Sequence, residues 1–284
     1  MLLDLLREGA KRDPGRPLVV TDAGSVTVGS TVAMAEAVAG QLAGRGIRRL
    51  GCLVDDVAIL IAVMCGAAAA GAEICVLPTY LDSEALDELV GSLGNPPLVV
   101  ESAHRPKASQ VLSVEDLVAS PAGPPAEPTA DPGLLILTTG TTGKPKATHH
   151  RWSRLVAGVA QDRSAATWLL TYNTNQFAGI QLLLHVIVND ATVVVPASRR
   201  PKDIVDAIRQ HGVTHVSGTP TLWRLLLGQT EEPGSLPLRQ ITLGGEVVGA
   251  DLLARLRDTF PQARITHIYA GTEFGSVIAV SDGR

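Results

Sequence analysis

Short apolar runs rich in valine, isoleucine and leucine alternate with stretches of helical periodicity along most of the chain. This alternation is typical of parallel β-sheets that are covered by helices on both faces. In the first part of the chain the pattern predicts a β-hairpin that leads into a βαβαβ order. The predicted strands are 18–20, 25–28, 50–54, 74–77 and 98–100, and the predicted helices are 32–42, 58–70 and 83–92.

A proline-rich segment, residues 120–132, interrupts this alternation. Proline disfavours both helix and sheet, so the segment is predicted to be an extended surface linker. It divides the chain into an N-terminal α/β subdomain over 1–119 and a second α/β subdomain over 133–284, which together form one large domain. In the second subdomain the predicted strands are 134–137, 168–170, 192–195, 214–216, 239–242, 264–268 and 276–279, and the predicted helices are 150–160, 179–188, 201–211, 220–227 and 250–260.

The composition excludes several classes of protein. The 284 residues are 45% hydrophobic and 18% charged, which supplies a sizeable core and excludes a disordered chain. The net charge of −4, spread without basic runs, argues against nucleic acid or an anionic membrane as the main partner. The longest apolar run, 57–72, is too short for a membrane span, and the charged N-terminus does not resemble a signal peptide. Three cysteines without a CxxC pair predict neither a disulfide framework nor a zinc site, so a protein of the reducing cytoplasm is expected.

The first candidate site is a threonine- and glycine-rich segment that follows the predicted strand 134–137. The chain contains 19 arginines and only 5 lysines, yet two of those lysines lie in this segment. Its composition suits polyphosphate, because glycine lets backbone N–H groups approach an anion and lysine adds a compact positive charge. The residues are Thr138, Thr139, Gly140, Thr141, Thr142, Gly143, Lys144, Pro145 and Lys146.

The segment does not fit the Walker A pattern, G-x-x-x-x-G-K-[ST]. Thr138 stands where the first glycine should be, and Pro145 stands where the Mg²⁺-binding serine or threonine should be. We therefore expect this segment to bind phosphate by another geometry.

Three further motifs follow along the chain: GTPTL at 218–222, GGE at 244–246 and YAGTE at 269–273. Together with TTGTTGKPKAT at 138–148, they resemble in sequence and order the motifs of the adenylate-forming superfamily of acyl- and aryl-CoA synthetases, adenylation domains and luciferases. The resemblance covers essentially the whole chain. It implies the large N-terminal domain of those enzymes, with two packed, mostly parallel sheets flanked by helices and a site at the carboxyl ends of the strands.

The resemblance also implies a role for each motif. Residues 138–146 would hold the β- and γ-phosphates of ATP, Thr272 would contact the α-phosphate, and Glu273 would hold Mg²⁺. Lys144, Thr272 and Glu273 would be the catalytic residues. The remaining nucleotide-binding candidates are Gly244, Gly245, Glu246, Tyr269, Ala270 and Gly271. The candidate substrate-binding residues are Gln176, Phe177, Gly179 and Thr219.

The chemistry that this resemblance implies is ATP-dependent activation of a small carboxylic acid. The carboxylate would attack the α-phosphorus and release pyrophosphate, which requires positioning and charge neutralisation rather than a nucleophilic side chain. The thiol of CoA, or of the phosphopantetheine arm of an acyl carrier protein, would then attack the acyl-AMP in the complete enzyme, an acid–thiol ligase. Two alternatives stay open: a family member that binds acyl-adenylate or nucleotide without the first half-reaction, and a phosphotransferase, which would release ADP rather than AMP.

The motifs depart from the family pattern mainly on the acyl side. Ala147 replaces a usual glycine, Ala270 and Gly271 invert the expected order, and Gln176 stands where many members carry a histidine. The family's ribose-binding aspartate and the lysine of its smaller C-terminal domain lie downstream of the tyrosine motif. We therefore expect the chain to be the N-terminal part of a longer protein, without the C-terminal domain.

The other conspicuous residues are expected to be structural. Asp before an apolar helix is usually an N-cap, and buried histidines are usually hydrogen-bonded. The expected N-cap pair is Asp55 and Asp56, the expected solvated residues at a helix start are His149 and His150, the expected satisfied core histidines are His215 and His267, and the expected core tryptophans are Trp152, Trp168 and Trp223.

Overall fold

The computed structural model describes residues 1–101, 110–119, 131–139, 145–162, 165–270 and 277–281. Within these ranges the chain forms two β-sheets and the helices that cover them. In chain order the elements are α1 (Leu2–Arg12), β1 (Pro17–Thr21), β2 (Gly24–Thr27), α2 (Val28–Gly44), β3 (Arg49–Leu53), α3 (Val57–Ala69), β4 (Glu73–Val76), α4 (Ser83–Ser92), β5 (Leu98–Val100), β6 (Val111–Ser113), α5 (Val114–Ala119), β7 (Gly133–Thr139), β8 (Pro145–Arg151), α6 (Trp152–Ala157), β9 (Thr167–Leu169), α7 (Phe177–Val188), β10 (Thr192–Val194), α8 (Pro201–Gln210), β11 (His215–Gly218), α9 (Pro220–Gln229), a 3₁₀ turn (Pro233–Ser235), β12 (Gln240–Gly244), α10 (Ala250–Thr259), β13 (Arg264–Ala270) and β14 (Val277–Ser281).

Both sheets are mostly parallel. The larger sheet has the order β14-β13-β12-β11-β9-β10-β1-β2, and its antiparallel pairs are the two at its edges. The smaller sheet has the order β6-β5-β3-β4-β7-β8, and only the β7–β8 pair in it is antiparallel. The predicted α/β class with two mostly parallel, helix-flanked sheets is therefore confirmed.

The largest core cluster is built around α3, which is buried along nearly its whole length. Asp56 caps this helix, because its side chain accepts hydrogen bonds from the N–H groups of Ala58 (2.8 Å) and Ile59 (3.0 Å). The neighbouring helix α2 comes very close at Gly66, where an added Cβ would lie 2.7 Å from Val38 Cγ1. The expected N-cap role is thus confirmed for Asp56, and no helix in the described ranges is long and apolar enough to cross a membrane.

The region after the threonine-rich segment differs from its prediction. A helix over 150–160 was expected, but residues Pro145–Arg151 form strand β8 and helix α6 is confined to Trp152–Ala157. The sequence PKATHHR has no apolar run that would indicate a strand. It is extended because its backbone pairs along the whole of the apolar strand β7, from Thr139 with Pro145 to Gly133 with Arg151.

Three further elements, α1, β6 and α5, were not predicted. The first is an amphipathic helix whose Leu2, Leu3 and Leu6 are buried, a spacing that fits one helical face. The other two are only 3 and 6 residues long, too short for a periodic pattern to be recognised.

Strand pairing crosses the proline-rich segment in both directions. The N-terminal strand β1 pairs with β10 in the larger sheet, whereas β7, from the second half of the chain, pairs with β4 in the smaller sheet. Residues 120–130 of the predicted linker lie outside the described residues. The subdomain boundaries 1–119 and 133–284 stay a prediction, and they do not describe how the two sheets are assembled.

Candidate functional site

Most of the candidate residues that the structure describes follow the carboxyl ends of neighbouring parallel strands. Strands β9, β11, β12 and β13 are adjacent and parallel in the larger sheet. Their carboxyl ends therefore lie along one edge, which is where α/β folds bind ligands. The sequence-predicted residues that come after these strands in the chain are Thr219 after β11, Gly244, Gly245 and Glu246 at the end of β12, Tyr269 and Ala270 at the end of β13, and, farther along from β9, Gln176, Phe177 and Gly179 at the start of α7.

The GGE motif forms the turn that leaves β12. Gly244 is the last residue of the strand and pairs with Ile268 of β13. Gly245 adopts a φ of 81°, a left-handed conformation that glycine tolerates and that strains other residues. Its backbone is exposed at the carboxyl edge, so this turn needs glycine for its conformation whether or not it also meets a ligand.

The carboxylate of Glu246 binds the start of helix α9. Its Oε2 accepts hydrogen bonds from the backbone N–H (3.1 Å) and the hydroxyl (2.7 Å) of Thr221. The hydroxyl hydrogen bond is the main reason that the pKa of Glu246 lies below its usual value. Thr219 Oγ1 accepts from Leu222 N–H at 3.2 Å and so caps the same helix.

Two hydroxyl groups lie beside this turn: that of Tyr172, which follows β9, and that of Ser217, which belongs to β11. The hydroxyl of Tyr172 lies 3.4 Å from Ser217 Oγ, and Thr171 Oγ1 donates to the carbonyl oxygen of Ser217. A Cβ built on Gly244 would lie 3.9 Å from Tyr172 Oη. Burial raises the pKa of Tyr172, so its phenol stays protonated and can donate a hydrogen bond.

Sequence reasoning missed Ser217. The period-two alternation on β11 was the available signal, since it places Ser217 on the same face as His215. It does not say which element that face meets.

The predicted substrate residues at the start of α7 have different surroundings. Gln176 is exposed at the N-cap position, where its N–H donates to Asn173 O at 3.1 Å. Phe177 is only 6% exposed, belongs to the main core and lies 5.6 Å from the ring of His150. Gly179 passes so close to the preceding turn that an added Cβ would be 2.2 Å from Asn173 O. The local packing therefore accounts for the glycine at 179.

The threonine-rich segment connects two paired strands. Thr139 and Pro145 are Cα partners at the end of the β7–β8 pair, as are Thr138 and Lys146. Because β7 runs parallel to β4, the segment leaves the smaller sheet at the carboxyl end of β4. A Walker A loop would lead into a helix, whereas Pro145–Arg151 is a strand, so the structure agrees with the exclusion made from the sequence.

The catalytic candidates lie outside the described residues. These are Lys144, Thr272 and Glu273, together with the nucleotide-binding candidates Gly140, Thr141, Thr142, Gly143 and Gly271. Among the residues that are described, no group of three or more histidine, cysteine, aspartate or glutamate side chains could hold a metal ion. The Mg²⁺ assignment to Glu273 thus stays a prediction.

Neither His149 nor His150 lies at a helix start, because both belong to β8. His149 is exposed, as expected, whereas His150 is buried. His149 Nε2 lies 3.3 Å from Glu73 Oε2, near the amino end of β4, and His150 is buried beside Phe177. His149 crosses β7 at Gly133, where an added Cβ would lie 2.3 Å from its ring. The two imidazoles are therefore held at the end of β8 that is distant from Pro145.

The three tryptophans and the remaining two histidines were expected to lie in the core. Trp152, Trp168 and Trp223 are all buried, as expected. His215 Nδ1 lies 2.7 Å from Thr214 Oγ1 and is satisfied. The expectation for His267 is wrong, because its Nε2 is buried without a hydrogen-bond partner in the described part of the chain. Its neighbours in the sheet, Leu243 and Val280, have apolar side chains.

Comparison with known proteins identifies the family. Residues 6–284 match the model of the family described as AMP-binding enzyme. A curated relative, 2-succinylbenzoate–CoA ligase from Bacillus velezensis, is 31% identical over 207 residues, which are 66% of this chain and 41% of the ligase. The chain spans less than half the length of the curated relatives it matches.

Two solved structures have the same fold. The o-succinylbenzoate CoA synthetase of Bacillus subtilis, in complex with ATP and magnesium ion, is 23% identical with a TM-score of 0.81, over 98% of this chain and 62% of that chain. The N-terminal subdomain of Klebsiella oxytoca NpsA, in complex with 3-hydroxyanthranilyl-AMSN, is 18% identical with a TM-score of 0.85, over 99% of this chain and 76% of that chain. The predicted likeness to the large N-terminal domain of adenylate-forming enzymes is therefore confirmed, and the chain belongs to the AMP-binding enzyme family.

Proposed function

We propose that the protein activates a small carboxylic acid with ATP, forming acyl-AMP and releasing pyrophosphate. The observation that carries the proposal is the arrangement at the carboxyl edge of the larger sheet. Three adjacent parallel strands, β11, β12 and β13, end there. Thr219 follows the first, the Gly244–Glu246 turn leaves the second, and Tyr269 and Ala270 end the third. Membership of the AMP-binding enzyme family supports the same reaction class.

The proposed mechanism needs no nucleophilic side chain. A carboxylate oxygen of the substrate attacks the α-phosphorus, and the bond to the bridging oxygen of pyrophosphate breaks. Lys144 and the hydroxyl and N–H groups of residues 138–146 neutralise the β- and γ-phosphates, and Thr272 holds the α-phosphate. The Gly244–Glu246 turn and Tyr269 flank the adenine.

At this edge the carboxylate of Glu246 already accepts two hydrogen bonds from Thr221. The resemblance to adenylate-forming enzymes instead assigns the Mg²⁺ to Glu273 of the YAGTE motif, outside the described residues. Mg²⁺ bound there would neutralise phosphate charge. Carboxylate oxygens suit this hard cation.

On the acyl side, Gln176, Phe177, Gly179 and Thr219 are proposed to border the substrate. No acidic side chain lies between Thr171 and Gly179. An amino acid substrate needs a counter-ion for its ammonium group, so this segment favours acids without one. In the whole protein we propose that the acyl group passes to the thiol of CoA or of a carrier protein.

The test is carboxylate-dependent exchange of radioactive pyrophosphate into ATP, screened over fatty, aryl and amino acids. It should be run on the 284-residue chain and on the protein as its gene encodes it. We expect exchange with at least one acid and AMP as the nucleotide product. Binding of acyl-adenylate without exchange would support the non-adenylating alternative instead, and ADP as product would support a phosphotransferase.

A further inference from the structure

The backbone N–H groups in the first turn of helix α9 donate hydrogen bonds to side chains of the protein. Pro220 occupies the first helical position and has no N–H group. Thr221 N–H donates to Glu246 Oε2, and Leu222 N–H donates to Thr219 Oγ1. The first N–H groups of a helix have no partner within the helix, and they attract anions. Here the anion is the carboxylate of Glu246, which belongs to the turn after β12.

This contact joins two turns of the candidate site. Thr219 and Thr221 follow β11 on the proposed acyl side, and Glu246 belongs to the turn after β12 on the proposed adenine side. The two strands pair in register as far as Gly218 with Leu243, where the ladder ends. The Glu246–Thr221 hydrogen bonds therefore continue the connection between the strands past the end of the ladder.

The rest of the turn offers little side-chain support. Gly245 has no side chain, and the side chain of Val247 is 83% exposed. A glycine in the left-handed region gains freedom when its neighbours are not held, because it has many accessible conformations. Removing the carboxylate should leave the 245–247 backbone more mobile, and a ligand would then have to order it on binding.

We propose that Glu246 is a positioning residue that ties the adenine turn to the start of the acyl-side helix. This inference rests on the proposed function for the identity of the two ligands. The side chain does not contact the nucleotide; it fixes the backbone that does. Loss of the tie should weaken binding on both sides of the site together, because both turns lose the same support.

The geometry makes Glu246→Gln a sharp test. Both hydrogen bonds from Thr221 end on one oxygen, Oε2, and the Thr219 side chain and the charge of Arg224 add smaller favourable interactions with the carboxylate. The amide oxygen of glutamine can occupy that place and accept both, so the tie should survive without the charge. We expect Glu246→Ala to raise KM for ATP and KM for the carboxylate each by about fivefold to tenfold. Thr221→Val, which removes only the hydroxyl donor, should have a smaller effect in the same direction.

The matched control is Glu231→Ala, which removes an exposed glutamate from the loop after α9. It should leave both KM values within about twofold, since surface substitutions away from such contacts have small effects. Glu246→Gln should lie close to the wild type. A variant that merely unfolded would lower the amount of active enzyme and kcat but leave KM unchanged.

Hydrogen exchange of the Thr221 amide separates this inference from the proposed function. It is measured without substrates, and we expect faster exchange in Glu246→Ala than in the wild type, Glu246→Gln or Glu231→Ala. If the wild type supports no pyrophosphate exchange, the proposed function fails, and the amide measurement together with direct ATP binding still decides the tie. Unchanged hydrogen exchange of the Thr221 amide and unchanged ATP affinity in Glu246→Ala would overturn the inference. Equal loss of ATP affinity in Glu246→Gln and Glu246→Ala would also overturn it.

Discussion

Two histidines, His185 of helix α7 and His215 of strand β11, flank the indole ring of Trp168 on strand β9. The ring centroids of His185 and His215 lie 4.8 Å and 4.9 Å from that of Trp168. Burial lowers the pKa of His215 to about 4, with smaller contributions from His185 and Arg239 that act in the same direction and from Asp162 that opposes it. Burial also lowers the pKa of His185. Both imidazoles are therefore neutral in the folded protein at physiological pH.

This pair predicts acid sensitivity. Between pH 6.5 and about 4 the unfolded chain binds protons that folded His215 refuses, so the free energy of unfolding should fall as the pH falls through that window. The partly exposed ring reduces the effect to on the order of 1 kcal/mol. Urea unfolding at several pH values should give a shallower fall for His215→Phe, and the shallowest for His185→Phe combined with it. Parallel curves for all variants would contradict the assignment.

At this scale, sequence reasoning identified residue types better than residue surroundings. Gly245 could be predicted as a turn residue from the motif alone, and Asp56 as an N-cap from its place before an apolar helix. The contact between Glu246 and Thr221 could not, because it joins residues 25 positions apart whose proximity depends on the register of two strands. The same holds for His149 and Glu73.

Among the elements, the β7–β8 pair has the greatest effect on the site. Strand β7 is apolar and was predicted, but β8 is polar and extended only because β7 pairs with it. Propensity along a single segment cannot reveal such a strand, since tertiary pairing overrides it. The parallel strands, in contrast, have apolar runs that appear directly in the sequence, and their helices have clear ends such as Pro201 and Gly212.

The connection between β7 and β8 carries the prediction for Lys144. We expect Lys144→Ala to lower pyrophosphate exchange about a hundredfold, the loss typical of removing one group that stabilises developing charge. The melting temperature should change by no more than about 2 °C, because the substitution leaves the described hydrophobic core intact. Lys202→Ala, on the exposed first turn of α8, serves as the control. Equal exchange by the Lys144 variant and the control would show that the segment does not hold the triphosphate.

In the whole molecule, each half of the chain supplies strands to the sheet of the other half. Strand β1 pairs with β10, and β4 pairs with β7. The linker position could be predicted from its prolines, but this exchange could not, because the sequence does not show which strands become neighbours. Only the overall class, two mostly parallel sheets with helices, follows from the alternation itself.

Because the two halves of the chain contribute strands to each other's sheets, we predict that residues 1–119 cannot fold alone. Without β7 and β10, that fragment has unpaired edges at β4 and β1 and loses much of its main core. We expect no cooperative urea transition by circular dichroism for 1–119, and recovery of one when it is mixed with a 131–284 fragment. A sharp transition for 1–119 by itself would mean that the first half is an independent folding unit.

The same pairing sets a schedule for synthesis on the ribosome. Val19 of β1 pairs with Val193 of β10, which is translated about 170 residues later. At roughly 5–20 residues per second this delay is about 10 to 35 seconds. Throughout that interval the valine-rich edge of the first hairpin is open to other nascent chains. Elongation rate and chaperone supply should therefore affect the yield of folded protein.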